Sequence, residues 1–332
     1  MDATKYANDS RLGARTYASA DRDWHIDAAL SEISIQYTLE PSDFLAPVVM
    51  PIVPVGKQSD KYFIWDKAYW FRIPQTQRAK GTAPKCVEFG VSSAGYYAEN
   101  YMIGGRIPYE DLSNADEALQ LEDSVARGLT QLLMLDWENR AATLLTTAAN
   151  AGSGTALTGT ARWNDYGNSS PISDVTTGKA WMRLATGKEP NTMVVGAQVH
   201  DALLQHPDII DRVKYVARAD QAAISAAIAD IFGVSKYLVG KAVKNTAAEG
   251  LTATMGYVWG KNVTMMYTPP APGRATPAAA YSFRWKPEGF TDFLVETREN
   301  DDIKAREKRV GYFQAEKIVG SDLLYIVSTV VD

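Results

Sequence analysis

The chain has 332 residues, 46% of them hydrophobic and 22% charged, with a formal net charge of −5 and a pI near 5.4. Two to three structural units with a sizeable core are expected at this length, and the acidic balance excludes a protein that grips nucleic acid over its whole surface. Cys86 is the single cysteine, which excludes intrachain disulfides and thiolate metal clusters; no long apolar run or signal-peptide core offers a membrane or export segment.

Residues 1–46 are polar with few periodic apolar positions and read as an extended arm, held by other contacts, with a short helix around Asp27–Ile35. Residues 47–110 alternate strand-like runs with turn residues. Within them, residues 55–85 carry seven cations (Lys57, Lys61, Lys67, Arg72, Arg78, Lys80, Lys85) against Asp60 and Asp66, a formal +5 that leaves −10 on the rest of the chain. Tyr62-Phe63-Ile64-Trp65 and Tyr69-Trp70-Phe71-Arg72 lie between prolines at 47, 51, 54 and 74. Such a segment is too apolar for free solvent and too charged for an ordinary core. It reads as a projecting hairpin that packs on another subunit, with a return limb from Cys86 to Met102, because a two-stranded excursion is marginal by itself in water.

Asn114 and Glu117 outline a capping box. Leu121, Val125, Leu129, Leu132, Leu133, Trp137, Ala141, Leu144 and Leu145 then recur at helical spacing up to the Gly152-Ser153-Gly154 break. A spine helix from about 115 to 149 is expected, roughly 50 Å long at ~1.5 Å per residue. Residues 151–173 read as a loop with short strands. A mixed α/β unit follows: a helix at 174–186 with Val175, Ala180, Trp181 and Leu184 as its apolar positions, a buried strand Thr192–Gly196, a helix Gln198–Leu204, a helical turn at 208–214, an Ala-rich helix at about 219–231 closed by Gly233, and strands Lys236–Val243 and Asn262–Tyr267. After the Thr268–Gly273 proline cluster, strands are expected at Ala280–Trp285, Phe290–Arg298, Ala305–Ala315 and Leu323–Val330, folding back on the spine.

Catalytic constellations are weak. His200 and His206 are six residues apart, which puts them on different helix faces, and His25 is distant, so surface or capping roles are favoured. Gly90-Val91-Ser92-Ser93-Ala94-Gly95 misses the nucleophile-elbow pattern and its strand-to-helix context. Gly152-Ser153-Gly154 lacks the Lys-Ser/Thr of a phosphate loop. Glu299-Asn300-Asp301-Asp302 has neither the spacing nor the glycine of a calcium loop and reads as a solvated turn, and Cys86 beside Lys85 reads as a small strand residue. No catalytic, cofactor-binding or metal residue is assigned.

Charge says more. Glu110, Asp111, Asp116, Glu117, Glu122 and Asp123 gather six acids around the start of the spine helix, more than the helix dipole requires. The expectation is that Lys57, Lys61, Lys67, Arg72, Arg78 and Lys80 of one subunit lie across this acidic start on a neighbour. Exposed pairs contribute about 0–1 kcal/mol each, so they would set register rather than strength.

The order of parts, together with Ala46-Pro47-Val48-Val49 running into Val53-Pro54-Val55, Lys61–Lys67, Phe71-Arg72 and Tyr281-Ser282-Phe283-Arg284-Trp285, resembles the major capsid proteins of tailed double-stranded-DNA bacteriophages, the Hong Kong phage capsid fold shared with encapsulins. The resemblance implies an α+β fold with an N-terminal arm (1–49), an extended E-loop hairpin (50–108), a peripheral domain with the spine helix (109–160 and 276–332) and a mixed α/β axial domain (161–275). It implies a non-enzymatic subunit that assembles as pentamers and hexamers into an icosahedral virion shell in the host cytoplasm. The implied partners are a separate scaffolding protein, a portal, a decoration protein and nonspecifically contacted packaged DNA, with no membrane. Some relatives crosslink through Lys and Asn; Lys57, Lys61 and Lys80 are available donors, but no Asn and Glu are fixed beside them, and no crosslink is expected. An encapsulin-like compartment and an α/β enzyme are the alternatives, distinguished by a protein cargo and by a deep polar pocket.

Overall fold

The computed structural model describes residues 24–26, 44–88, 90–114, 121–213, 221–273, 276–287 and 293–332. The helix expected at Asp27–Ile35 lies outside them, as do Asp116 and Glu117. In chain order come strand β1 (Trp24–Ile26), helix α1 (Ala46–Val49), strands β2 (Ile52–Val55) and β3 (Ser59–Trp65), helical turn α2 (Lys67–Trp70), strands β4 (Val91–Tyr97) and β5 (Glu99–Pro108), and helices α3 (Tyr109–Asn114) and α4 (Leu121–Thr146). They are followed by β6 (Ser153–Ala156), α5 (Pro171–Thr186), β7 (Thr192–Gly196), α6 (Ala197–Gln205), α7 (Pro207–Val213), α8 (Gln221–Phe232), β8 (Lys236–Gly240), β9 (Val243–Asn245), β10 (Met255–Tyr257) and β11 (Val263–Met266). The chain ends with β12 (Ala280–Trp285), β13 (Leu294–Asn300), β14 (Ala305–Ile318) and β15 (Leu324–Ser328).

The spine is α4, 26 residues and so about 39 Å long at ~1.5 Å per residue. Its core face is two adjacent rows at four-residue spacing. Leu129, Leu133, Trp137, Ala141 and Leu145 form one row; Ala126, Thr130, Met134, Glu138 and Ala142 form the other, and all are buried. Thr130 survives there because its hydroxyl donates to the Ala126 carbonyl at 2.9 Å. One sequence expectation changes: Leu132 is exposed rather than core. Asn114 is the last described residue of α3, and its expected capping-box partner Glu117 lies outside the described residues.

The spine lies against a sheet ordered β1-β13-β14-β12-β2, with β5 paired along the other edge of β14. Every pairing is antiparallel except β12 with β2. The 14-residue β14 can run through this centre despite its Arg306-Glu307-Lys308-Arg309 sequence because the charges have partners. Lys308 is fully buried with its Nζ 2.7 Å from Glu122 Oε2, and Arg306 holds the other carboxylate oxygen. On the opposite face, Glu307 accepts from Arg106 Nε at 3.0 Å.

Burial alone would push the Glu122 carboxyl up, but Lys308 and Arg306 outweigh it and hold the group below its usual range. Its stabilisation is therefore present above the ordinary carboxylate pKa and is lost as pH falls through the depressed folded value. Glu122→Gln strands the Lys308 ammonium. A fully buried broken pair costs about 3–5 kcal/mol; with Glu122 29% exposed, about 2–3 kcal/mol is expected, along with a flatter acid limb. Urea titrations of unassembled subunit at neutral and acid pH read both.

A second sheet, ordered β6-β15-β11-β7-β8, packs one face on the end of the spine through Val194, Met266, Leu324 and Ile326. Its other face, carrying Met193, Val195, Met265 and Tyr325, is covered through Met182, Leu203 and Ile228 of α5, α6 and α8. The C-terminal segment is thus shared: β12 to β14 stay with the first sheet, whereas β15 enters the second. On α5 the buried positions are Pro171, Val175, Gly178 and Met182, while Ala180 is exposed and Leu184 is almost wholly so. Gly178 is the reason the face rotates, since a Cβ there would lie 2.3 Å from Met265 and 2.7 Å from the Tyr325 ring.

Candidate assembly surfaces

The β3–β4 hairpin pairs Ser59 with Tyr97 through Trp65 with Val91. Its stem does not wait for another subunit. Tyr62 and Tyr96 stack on Phe283 of β12 at 5.4 and 4.7 Å between ring centroids, and Val53, Val55, Tyr281 and Ala315 complete a small core. The sequence expectation of a hairpin packed on a neighbour is therefore corrected for the stem. Beyond β3, Asp66 caps α2 by accepting the Ala68 N–H at 2.8 Å. Tyr69 lies over Gly90, where a Cβ would approach its ring to 2.7 Å, and Arg72 lies over Tyr69 at 5.9 Å.

Elsewhere on the arm the apolar surface is uncovered. Phe63, Phe71 and Ile73 are exposed, Ile73 to 95%, and 71–88 has no helix or strand. The cations Lys57, Lys61, Arg72, Arg78 and Lys80 are exposed along the same excursion. Lys67 is spent within the chain on Asp322. Of the acids grouped by sequence, Glu110 and Asp111 stand exposed on α3 and Asp123 is half-buried at the start of α4. Glu122 is already taken by Lys308 and Arg306, a partnership invisible in sequence because the residues are more than 180 positions apart.

A second apolar projection was not singled out from the sequence. Strands β9 and β10 pair Val243 with Tyr257 and Asn245 with Met255, so strand alternation puts those four residues on one face. Val243, Met255, Tyr257 and the tip residue Leu251 are exposed. On the other face, Lys244 donates to Asn139 Oδ1 of the spine at 2.6 Å.

His200 and His206 are buried rather than at the surface, and His206 takes the expected capping role, as the C-cap of α6. His200 Nδ1 is 2.9 Å from the Tyr237 hydroxyl, and burial holds its pKa down. His206 touches Ser169 and Asp208 in an arrangement with the outline of a catalytic triad, but the proton directions are wrong for one. Its Nδ1 accepts the Asp208 backbone N–H at 3.2 Å, so Nε2 carries the proton and donates to Ser169 Oγ at 3.1 Å. The Ser169 hydroxyl in turn donates to the Asp165 carbonyl at 2.7 Å. Among the described residues no base faces the serine; the group fastens a loop.

A polar cleft of about 190 Å³ is lined by Gly104, Gly105, Arg106, Glu307, Lys308 and Arg309. Its Arg106–Glu307 and Lys308–Glu122 pairs are internal. Among the described residues, no three His, Cys, Asp or Glu side chains converge on a metal position, and no helix is long and apolar enough to cross a membrane.

A long helix laid on a mixed sheet, a second sheet at its end and an arm with an uncovered tip define a phage capsid fold. The chain superposes with TM-score 0.71 on a phage-related protein from Bordetella bronchiseptica, 23% identical and covering 92% of this chain and 97% of that one. It superposes with TM-score 0.55 on the capsid structure of cyanophage P-SCSP1u, 12% identical over 84% of this chain and 86% of that one. No family model matches the chain. In sequence it is similar to the major capsid protein of Pseudomonas phage JBD67, 28% identical over 244 residues, 73% of this chain and 77% of the relative. It is also similar to the major capsid protein of Burkholderia phage BcepMu, 24% identical over 311 residues, 91% of this chain and 96% of the relative.

Proposed function

We propose that the chain is the subunit of an icosahedral phage shell, assembled as pentamers and hexamers in the host cytoplasm around packaged double-stranded DNA, and that it has no catalytic role. The observation that carries this reading is the arm: a stem anchored on its own sheet holding a cationic, apolar tip out in solvent. Phage relatives along most of the chain support a virion shell over a protein-cargo compartment. The excursion at 50–108 acts as the E-loop, 109–160 with 276–332 as the peripheral domain, 161–275 as the axial domain and 1–49 as an arm. Scaffolding, portal and decoration proteins are the partners assigned by this reading, and packaged DNA is met without sequence preference.

Lys57, Lys61, Arg72, Arg78 and Lys80 of one subunit face Glu110, Asp111 and Asp123 of its neighbour, together with Asp116 and Glu117; Lys67 and Glu122 contribute through their in-chain pairs, which hold the two surfaces in place. Negative-stain imaging of purified protein tests the shell: closed particles are expected, and uniform small particles would overturn the reading. Arg72→Glu with Arg78→Glu should leave the melting of isolated subunit unchanged. At about 0–1 kcal/mol per exposed pair, the two reversals should weaken assembly about tenfold at low salt and less at high salt; normal assembly at low salt would sink the charge assignment.

A further inference from the structure

Among the described residues, exposed large apolar side chains cluster on the arm, where Phe63, Phe71 and Ile73 stand out, and on the β9–β10 hairpin, where Val243, Leu251, Met255 and Tyr257 do. Most others are scattered singly, which is ordinary for a protein surface; clusters mark contacts. We infer that the two belong together: the arm tip of one subunit, through Phe71 and Ile73, docks on the outer face of the β9–β10 hairpin of a second copy. The inference rests on the shell reading and names the surface that receives the arm.

Charge selects this pairing. Two tips cannot meet each other, because residues 55–85 carry seven cations against two acids, and like charges in one contact are repulsive. The receiving hairpin is neutral. Between residues 243 and 257 the charged side chains are Lys244 and Glu249, and Lys244 is turned back onto Asn139. That tether fixes the hairpin to the rigid spine with its apolar face outward, and Leu132, one row along from Asn139 on the helix, adds a further exposed apolar side chain.

Reach is also satisfied. From Asp123 to Asn139 is about 24 Å along the helix at ~1.5 Å per residue. From Ile73 to Lys80 is about 23 Å in extended chain at ~3.3 Å per residue. One arm can therefore set Lys80 beside a neighbour's acidic spine start and Ile73 on the hairpin tethered farther along.

The test places Ile73→Cys and Met255→Cys together and singly in a Cys86→Ser chain, since Cys86 is itself exposed, and treats assembled particles with a short bismaleimide. A multimer ladder from the double variant, absent from both single variants, is expected. Dimers from Met255→Cys alone would assign the hairpin to its own copy, dimers from Ile73→Cys alone would join tip to tip, and intact particles with no ladder would remove the docking surface; each overturns the inference while leaving the shell standing. If the unmodified chain forms no closed particles, the shell reading itself fails. As a second readout, Met255→Asp with Tyr257→Asp should lower particle yield about tenfold or more with an unchanged subunit melting midpoint; undiminished yield also overturns it.

Discussion

Replacing Glu138 with alanine should cost roughly 3–4 kcal/mol of subunit stability, read as a fall in the urea midpoint at unchanged slope. Glu138 sits in the buried face of the spine, yet it is the acceptor for two separate elements. Oε2 takes the Ala46 backbone N–H at 2.7 Å, and Oε1 takes the Trp259 indole N–H at 2.5 Å. The first donor is an orphan of the α1 terminus, whose N-cap position, Leu45, has no side chain able to accept it. Alanine leaves both donors buried without an acceptor, about 1–3 kcal/mol each, and opens a cavity. Part of this is returned, because a desolvated carboxylate is itself costly.

Glutamine separates these contributions. Its amide can accept from one donor but turns an NH2 toward the other, so about 1–2 kcal/mol is expected. Burial pushes the Glu138 carboxyl above its ordinary range, the reverse of Glu122. A raised folded pKa stabilises below the ordinary carboxylate value, and this contribution is lost as pH rises through the folded value. The advantage of wild type over Glu138→Gln should therefore narrow from acid toward neutral pH, while its advantage over Glu122→Gln should widen. A parallel response in the two variants would show that the charges are not acting as argued.

Where sequence reasoning succeeded and failed follows from which interactions are local. Spine, hairpin and terminal strands announce themselves because helical and alternating apolar spacing are properties of contiguous residues. The strand Thr192–Gly196 is recovered to the residue, and the fold class follows from the order of such pieces. Glu138 and Lys308 could not be read as buried, since the partners that make burial tolerable, Trp259 and Glu122, lie 121 and 186 positions away. Leu132 and Leu184 look like core residues by spacing alone, yet each falls outside the face that packs. The arm's chemistry was legible as composition; its anchored stem was not, because Phe283 reaches Tyr62 and Tyr96 only after two sheets have formed. The receiving hairpin was missed because β9 and β10 are three residues each and flank a turn.

Arg284 should be the most sensitive side chain on β12, with alanine costing roughly 3–5 kcal/mol and methionine about 2 kcal/mol less than alanine. The guanidinium is almost wholly buried between sheet and spine. Three rings surround it, with centroids 4.9 Å away for Trp137, 5.1 Å for Phe293 and 4.8 Å for Tyr312, and Nε donates to Gln314 Oε1 at 2.9 Å. Alanine empties the space that all three rings line, so the cavity dominates the loss. Methionine restores most of the volume and keeps favourable contacts with the rings, and it removes a desolvated charge, leaving mainly the Gln314 oxygen short of its donor. If methionine proved as damaging as alanine, the guanidinium's hydrogen bonds and charge, rather than the filled cage, would hold the spine to the sheet. The cage also sits one strand position from Phe283, on which the arm's stem stacks. Loosening it should therefore let the arm swing, and Arg284→Ala should lose particle assembly at temperatures where the isolated subunit is still folded, a gap measured by comparing particle yield with subunit melting.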